Sequence, residues 1–489
     1  MEIRGLLYSP EAVGDQLVLV AEDSFEAYEW PCPQLEKIAA AQGFKGEAGQ
    51  IIAASMVGED RESVRRVIVV GLGAEDELCL EGVRKALGSG LKEAEKLKVE
   101  VLTAAPRVWK RLPVADVARA MAETAKISGY RFDRYLSEKK EAGLKVLQLG
   151  YTQEQEADVL RGLKVGQALG RATNLARDLV NEPANAMTPG QLAAEAKKAG
   201  AEHGFEVEVH KEEAIVRLGM KAFLEVGKAS ANKPRLIVMR YRGNPAQPEE
   251  ILGFVGKGIT YDSGGLSIKP GTSMPTMKYD MAGAGAVIGA MSAIAREQLP
   301  LNVVAVVAAC ENLISGTGYR PGDIIETMAG KTVLIESTDA EGRLTLADAV
   351  HYILTEEKVH TVVDIATLTG AVIVALGATT TGVITNQQAL YDKMQDAAGK
   401  SGERIWQLPG FAEYKELNKT PLADLKNTGG RGAGTVTAGL FIEAFAQEKP
   451  WIHLDIAGTA FADKGRDYFA EGATGVGVRL LYHFAETYL

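Results

Sequence analysis

Apolar and polar positions fall into two periods along this chain, and together they predict an α/β fold built twice. Up to about residue 150, the apolar runs QLVLVAE, RVIVVGLG, KVEVLTA and KVLQLG read as strands. Segments rich in Ala, Lys and Glu, such as VRKALGSGLKEAEKL, separate them as helices would. From Thr152 to about Val180 the pattern TQEQEADVLRGLKVGQALGRATNLARDLV predicts one long helix, ended by Pro183 and Pro189. Beyond it the strand pattern returns in PRLIVMRY, ILGFVGKG, LNVVAVVAA, TVVDIATL and WIHLDIAG, while MAGAGAVIGAMSAI reads as a tightly packed buried helix. The expected plan is a smaller N-terminal α/β domain over 1–151, a connecting helix over 152–182 and a larger C-terminal α/β domain over 183–489.

Composition narrows the class. Of 489 residues, 46% are hydrophobic and 24% charged, as in an ordinary soluble globular protein. A net charge of −10, from 54 basic and 64 acidic residues, argues against general nucleic-acid binding. Cys32, Cys79 and Cys310 have no metal or redox spacing, and Cys310 closes the apolar run LNVVAVVAAC as a buried, inert thiol would. So few cysteines suit a reducing, cytoplasmic setting. The opening MEIRGLLYSPEAVGDQ has early acidic residues and no long apolar core, so no secretory signal is expected there. The best membrane candidate, Ile365–Ile384, is rich in Thr and Gly and follows Asp364; it reads as a buried strand with an adjoining loop.

Candidate chemistry concentrates in the second domain. The first domain's GLGAED, Gly71–Asp76, lacks the third glycine of a dinucleotide loop and reads as a tight turn after a strand. In the second domain, GKGITYDSGGLSIKP holds Lys257, Asp262 and Lys269, and MKYDMAGAGA holds Lys278 and Asp280. A third segment, STDAEGRLTLADA, lies between the strand-like KTVLIE and the helical LTLADAVHYIL. Its Asp339, Glu341 and Arg343 alternate, so an extended segment would carry all three charges on one side. Lys257 falls in or just after an apolar strand, where a lysine is costly to bury without a partner. Taken one at a time, such charges read as caps or ion pairs; together, at strand ends in loops of small residues, they fit a hard-cation site. His203, His210, His351, His360, His453 and His483 show no ligand spacing, and His453 reads as a satisfied core residue. No GxSxG is present, and Ser263 stands beside an aspartate with no partnered histidine.

The three segments resemble those of the leucyl (cytosol) aminopeptidase family of dinuclear metallo-exopeptidases. That family's signature is Asn-Thr-Asp-Ala-Glu-Gly-Arg-Leu; here Ser337 replaces the Asn and the other seven positions match, through Leu344. The resemblance implies a C-terminal catalytic domain with a central mixed sheet flanked by helices. It implies two divalent ions per subunit, Mn2+ or Zn2+. Lys257, Asp262, Asp280 and Glu341 correspond to the ligands of one, and Asp262, Asp339 and Glu341 to those of the other. Lys269 and Arg343 correspond to the two catalytic residues that bind no metal. Ala340, Gly342, Arg343 and Leu368 match the seat of a bicarbonate, and Met277, Thr367, Gly370, Ala457 and Ala460 match the pocket for the substrate's first side chain. The implied reaction removes an N-terminal residue, preferably Leu, Met or another uncharged one, from short peptides by a hydroxide bridging the metals. Ala460 stands where relatives can carry a bulkier Met, which implies a roomier pocket. A cytoplasmic homohexamer is also implied. The charges agree with this assignment: two divalent ions balance Asp262, Asp280, Asp339 and Glu341, provided that Lys257 is neutral when it binds metal. Two other readings are disfavoured. A dinuclear phosphoester hydrolase would carry more His or basic phosphate clamps, and the DNA-binding architectural role of some family members sits poorly with the chain's acidity.

Overall fold

In the computed structural model, which describes residues 1–8, 14–24, 30, 33–57, 64–109, 111–139, 141 and 143–489, each apolar run read as a strand forms one. Cys32 and part of the stretch read for a signal lie outside the described residues. The chain divides into two compact units, Met1–Asn174 with Lys464–Ala470, and Leu175–Asp463 with Glu471–Leu489. The helix Glu156–Asn181 runs through the division between Asn174 and Leu175.

The first unit holds β1 (Glu2–Leu7), β2 (Asp15–Val20), β3 (Ile51–Val57), β4 (Val64–Gly71), β5 (Val101–Ala104) and β6 (Val146–Tyr151). They form one sheet in the order β1-β6-β5-β2-β4-β3, parallel except where β3 meets β4. The apolar pattern gave no sign of β1, because only Ile3 of its six residues is buried. The helices Leu80–Lys96 and Val114–Ser128 bury Val83, Leu87, Val117 and Met121 in one core with Leu17, Ile68, Leu102 and Leu147 of the sheet. The late segment Lys464–Ala470 belongs to this unit: buried Tyr468 donates to Glu81 Oε2 at 3.0 Å, and Lys92 donates to the Asp467 carbonyl.

The second unit holds β7 (Glu206–His210), β8 (Arg235–Arg242), β9 (Ile251–Asp262), β10 (Asn302–Asn312), β11 (Ile324–Glu326) and β12 (Thr332–Leu334). It continues with β13 (Thr361–Ala366), β14 (Thr381–Thr385), β15 (Ile405–Gln407), β16 (Leu425–Lys426) and β17 (Trp451–Asp455). Eight of these form a mixed sheet, β15-β14-β17-β13-β9-β10-β8-β7, whose central strands β17, β13, β9 and β10 are parallel. The helices Ala282–Arg296 and Gly342–Thr355 flank it, packing against β9, β10 and β13. The first is nearly all buried, as its small-residue pattern predicts. A Cβ at Gly283 would stand 2.1 Å from the Ile365 carbonyl oxygen, so glycine lets the helix start directly on the sheet. That close approach carries Asp280 down to the strands.

One local feature departs from the sequence reading, and a second adds to it. The segment after β13 is not a loop but a short helix, Gly370–Leu376, capped by the Thr369 hydroxyl; its Val374 is 90% exposed. Among the described residues no helix is long and apolar enough to cross a membrane. The pairing of β9 with β10 slips between Cys310 and Glu311: Cys310 faces Ile259 but Glu311 faces Tyr261, leaving Thr260 as the extra residue of a bulge. Beyond the slip Asn312 lies opposite Asp262.

Candidate metal centre

The charged side chains singled out in the sequence gather at the carboxyl ends of the parallel strands, where α/β sheets place their ligand sites. Lys257 lies within β9 and Asp262 ends it; Asp280 precedes the Ala282–Arg296 helix; Glu341 precedes the Gly342–Thr355 helix. One carboxylate oxygen from each of Asp262, Asp280 and Glu341 lies within 4.8 Å of the other two, and all three residues are buried. The Lys257 ammonium sits 2.8 Å from Asp280 Oδ1 and 2.8 Å from Glu341 Oε1, and donates to the Thr367 carbonyl at 3.0 Å. Lys269 spans a second pair, 2.9 Å from Asp262 Oδ2 and 2.6 Å from Asp339 Oδ1. Gly342 leaves room for the lysine as it lies, since a Cβ there would stand 2.4 Å from Lys257 Cε.

Asp339, Glu341 and Arg343 do not share one side of an extended segment. Asp339 lies exposed in the turn, whereas Glu341 already has helical backbone angles and is buried with Arg343 at the helix start. Ser337, in place of the family's Asn, accepts the Asp339 N–H on its hydroxyl at 3.2 Å and so holds the turn locally.

Burial and mutual repulsion dominate the electrostatics. Desolvation, then Glu341, pushes the Asp262 carboxyl up to about 6; desolvation also drives Asp280 well above the usual carboxylate range and raises Asp339. Burial opposes the charge on Glu341 too, but Lys257 and Lys269 outweigh it and hold that carboxyl low. For Lys257, burial pulls the pKa down, yet Asp280, Glu341 and Asp262 together lift it above its ordinary value. Lys269 is raised in the same way. Arg343, buried at the helix start, is lowered to about 10 by desolvation, and its Nε has no hydrogen-bond partner among the described residues.

The residues matched to a substrate pocket come from three segments. Met277 is half-buried on the 3-10 turn Met274–Tyr279; Thr367 and Gly370 follow β13; Ala457 and Ala460 follow β17. Thr367 donates its hydroxyl to Asp280 Oδ1 at 2.9 Å. Gly370 is exposed and Ala457 half-buried, while Ala460 is only 3% exposed. Tyr279 stacks on Phe461 with ring centroids 4.2 Å apart, joining the first segment to the third. Of the residues matched to an anion seat, Gly342 and Arg343 open the helix, but the Leu368 N–H is already engaged by Asp455 Oδ1 at 3.1 Å.

Three side chains missed in the sequence organise this end of the sheet. Asn312 donates to Asp262 Oδ1 at 2.8 Å and to the Thr338 carbonyl at 2.9 Å. Asn427 braces the turn, accepting from Glu336 N at 2.9 Å and donating to the Ser337 carbonyl at 2.6 Å. Asp455 gathers Leu368 N, Ala457 N at 3.2 Å and the Thr369 hydroxyl at 2.6 Å. His453 is less than fully satisfied: its Nδ1 meets Asp364 Oδ1 at 2.5 Å, but its Nε2 has no hydrogen-bond partner among the described residues.

The site suits a divalent cation. Four carboxylates face two ammonium groups, and Asp280 Oδ2 is buried with no hydrogen-bond partner among the described residues. The donors are oxygen-rich, as a hard or borderline cation prefers.

Known proteins resemble this chain over most of its length. The model of the cytosol aminopeptidase family catalytic domain matches residues 174–482, and that of the family's N-terminal domain matches 30–139. A protein of Clostridium perfringens named "Probable cytosol aminopeptidase" is 48% identical over 445 residues, 90% of each chain. One of the same name from Alkaliphilus metalliredigens is 44% identical, covering 93% of this chain and 91% of its own. Among solved structures, the bottromycin maturation enzyme BotP in complex with Mn is similar with a TM-score of 0.86 and 32% identity, covering 97% of this chain and all of that one.

Proposed function

The chain belongs to the cytosol aminopeptidase family and is a metal-dependent aminopeptidase, and from that premise we propose that it releases uncharged N-terminal residues, Leu and Met foremost, from short peptides. Lys257, Asp262, Asp280 and Glu341 hold one divalent ion in this reading, and Asp262, Asp339 and Glu341 the other. Mn2+ or Zn2+ bound there would acidify a shared water and polarise the scissile carbonyl. Lys269, already a cation beside Asp262 and Asp339, is aimed to steady the oxyanion. Arg343 offers, at a helix start, an Nε with no hydrogen-bond partner among the described residues, which suits a bicarbonate held with Ala340 and Gly342; Leu368 would join them only by releasing Asp455 Oδ1. Met277, Thr367, Gly370, Ala457 and Ala460 carry no charge, so a substrate's acidic side chain would find no partner among them.

One observation carries the reading: three buried carboxylates converge within 4.8 Å, and Asp280 Oδ2 among them has no hydrogen-bond partner among the described residues. The Mn in the BotP complex supports a manganese site in this chain as well. A homohexamer working in the cytoplasm is part of the same proposal, resting on the family resemblance. The test is a Mn2+ titration of the chelated protein, followed by assay on leucyl and glutamyl peptides. Two ions per chain and a clear leucyl preference in kcat/KM are expected; equal rates for the two substrates would remove the pocket assignment, and a stable monomer in light scattering would remove the hexamer.

A further inference from the structure

The strongest unassigned feature is a single amide at the junction of the two segments that bear the acidic cluster. The Asn312 side chain is fully buried at the end of β10, and both of its hydrogen-bond donations cross to another segment. One goes to Asp262 Oδ1 at 2.8 Å, an oxygen that also accepts from Gly264 N at 2.8 Å. The other goes to the Thr338 carbonyl at 2.9 Å, in the turn that leads into Asp339 and Glu341. With two N–H donors on Oδ1, the carboxylate cannot rotate freely, and Oδ2 is the oxygen turned toward Lys269, 2.9 Å away. The Asn312 backbone carbonyl adds a further tie, accepting Ser263 N at 2.9 Å and the Ser263 hydroxyl at 2.8 Å.

The bulge makes this geometry. Strand neighbours in register point to the same face, and a one-residue slip reverses the face. Without the extra residue at Thr260, Asn312 would stand opposite Tyr261, and its side chain would miss Asp262. With it, Asn312 and Asp262 are direct partners. Bulges beside functional sites re-aim side chains in this way.

We propose that Asn312 is a positioning residue for cation binding: it selects which oxygen of Asp262 faces the cluster and fixes the Thr338–Glu341 turn relative to β9. This rests on reading the cluster as a divalent-cation site. Partners that orient a metal's ligands are worth about 10–100-fold in affinity when removed.

The test is calorimetric titration of the chelated full-length protein with Mn2+ alone. Asn312→Ala should lose about 10–100-fold in Mn2+ affinity while binding the same number of ions. Asn312→Ser has a hydroxyl too short to span both partners and should lose a similar amount; it is the variant to read if the alanine chain does not fold. Tyr319→Phe is the control for structure alone, since the Tyr319 hydroxyl donates to the same Thr338 carbonyl at 2.8 Å and has no bond to Asp262. It should bind Mn2+ like the wild type. Wild-type affinity in the Asn312 variants, or an equal loss in Tyr319→Phe, would overturn the positioning role alone. A wild-type chain that binds no Mn2+ would overturn the cation site and the role of Asn312 with it.

Discussion

In the first unit, Arg84 and Glu123 face each other between the helices Leu80–Lys96 and Val114–Ser128 with fully buried side chains, and Glu81 stands 3.5 Å from the same guanidinium. In the second, Lys257 lies between Asp280 and Glu341, equally buried, but four carboxylates share two ammonium groups. Both clusters take charge out of water, and each must repay that desolvation. The arginine cluster joins two helices, and its second carboxylate, Glu81, keeps 19% of its side-chain surface in water. The lysine cluster does not close: burial and repulsion lift the carboxyls of Asp262, Asp280 and Asp339. A buried pair whose extra acid reaches water is scaffold, whereas a cluster that buries its extra acid stores a demand for cations that only binding can meet.

That contrast breaks first at Glu341. Glu341→Gln should cut kcat/KM by roughly 10³-fold or more, since several kcal/mol of transition-state stabilisation depend on the ions. Yet the chelated variant should melt only slightly below the wild type, because losing the pull of Lys257 and Lys269 on Glu341 is offset by relief of the repulsion that Glu341 exerts on Asp262, Asp280 and Asp339. Glu123→Gln should do the reverse, losing about 3–5 kcal/mol in urea unfolding with the kcat of the folded fraction intact. If chelated Glu341→Gln unfolded as readily as Glu123→Gln, the two clusters would be alike after all.

Lys257→Arg sharpens the distinction. Arginine keeps the charge that an ion pair needs but cannot lend a lone pair to a metal. The variant should take up one Mn2+ where the wild type takes two, measured by titration with metal analysis. Two ions at wild-type affinity would make Lys257 a structural cation like Arg84.

The smallest effect belongs to a third way of burying a charge, with no cation at all. Asp348 accepts Phe223 N at 2.9 Å and Met328 N at 2.8 Å; burial pushes its carboxyl up to about 7, against the pull of those backbone donors. Because the folded value exceeds the ordinary 3.8, the folded chain holds the extra proton between the two. Stability should therefore fall as pH rises from about 4 to about 7 and level off above that. Asp348→Asn loses one acceptor at about 1–3 kcal/mol and should lack this slope, so its deficit narrows from pH 5 to pH 8 in thermal melts. An unchanged slope would assign the pH dependence elsewhere.

What could be read from the sequence follows from what is local. Continuous apolar runs marked the central strands, and the small-residue run marked the helix Ala282–Arg296, because burial on all sides leaves an unbroken pattern. β1 and β7 were silent: each is short and mostly half-exposed. Lys257, Asp262, Asp280 and Glu341 stood out because charges seldom follow apolar strands or open buried helices. Asn312, Asn427 and Asp455 carry no such mark. An amide or aspartate at a strand end is common, and its importance here comes from partners 50 to 91 residues away. The bulge at Thr260 depends on pairing between two strands, which neither strand's own pattern encodes.

The return of Lys464–Ala470 to the first unit sets an order on biogenesis. A ribosome delivers the chain from its amino end at about 5–20 residues per second, so Tyr468 emerges roughly 15–60 s after Asn174. Until then Glu81 lacks the hydroxyl that the finished unit gives it, and Lys92 lacks the Asp467 carbonyl. A unit built from residues up to Asn174 is thus completed by a segment made only after every strand of the large sheet. Nascent chains stalled between the two would carry an unfinished amino-terminal unit, open to chaperones and proteases, whatever the state of the sheet that follows.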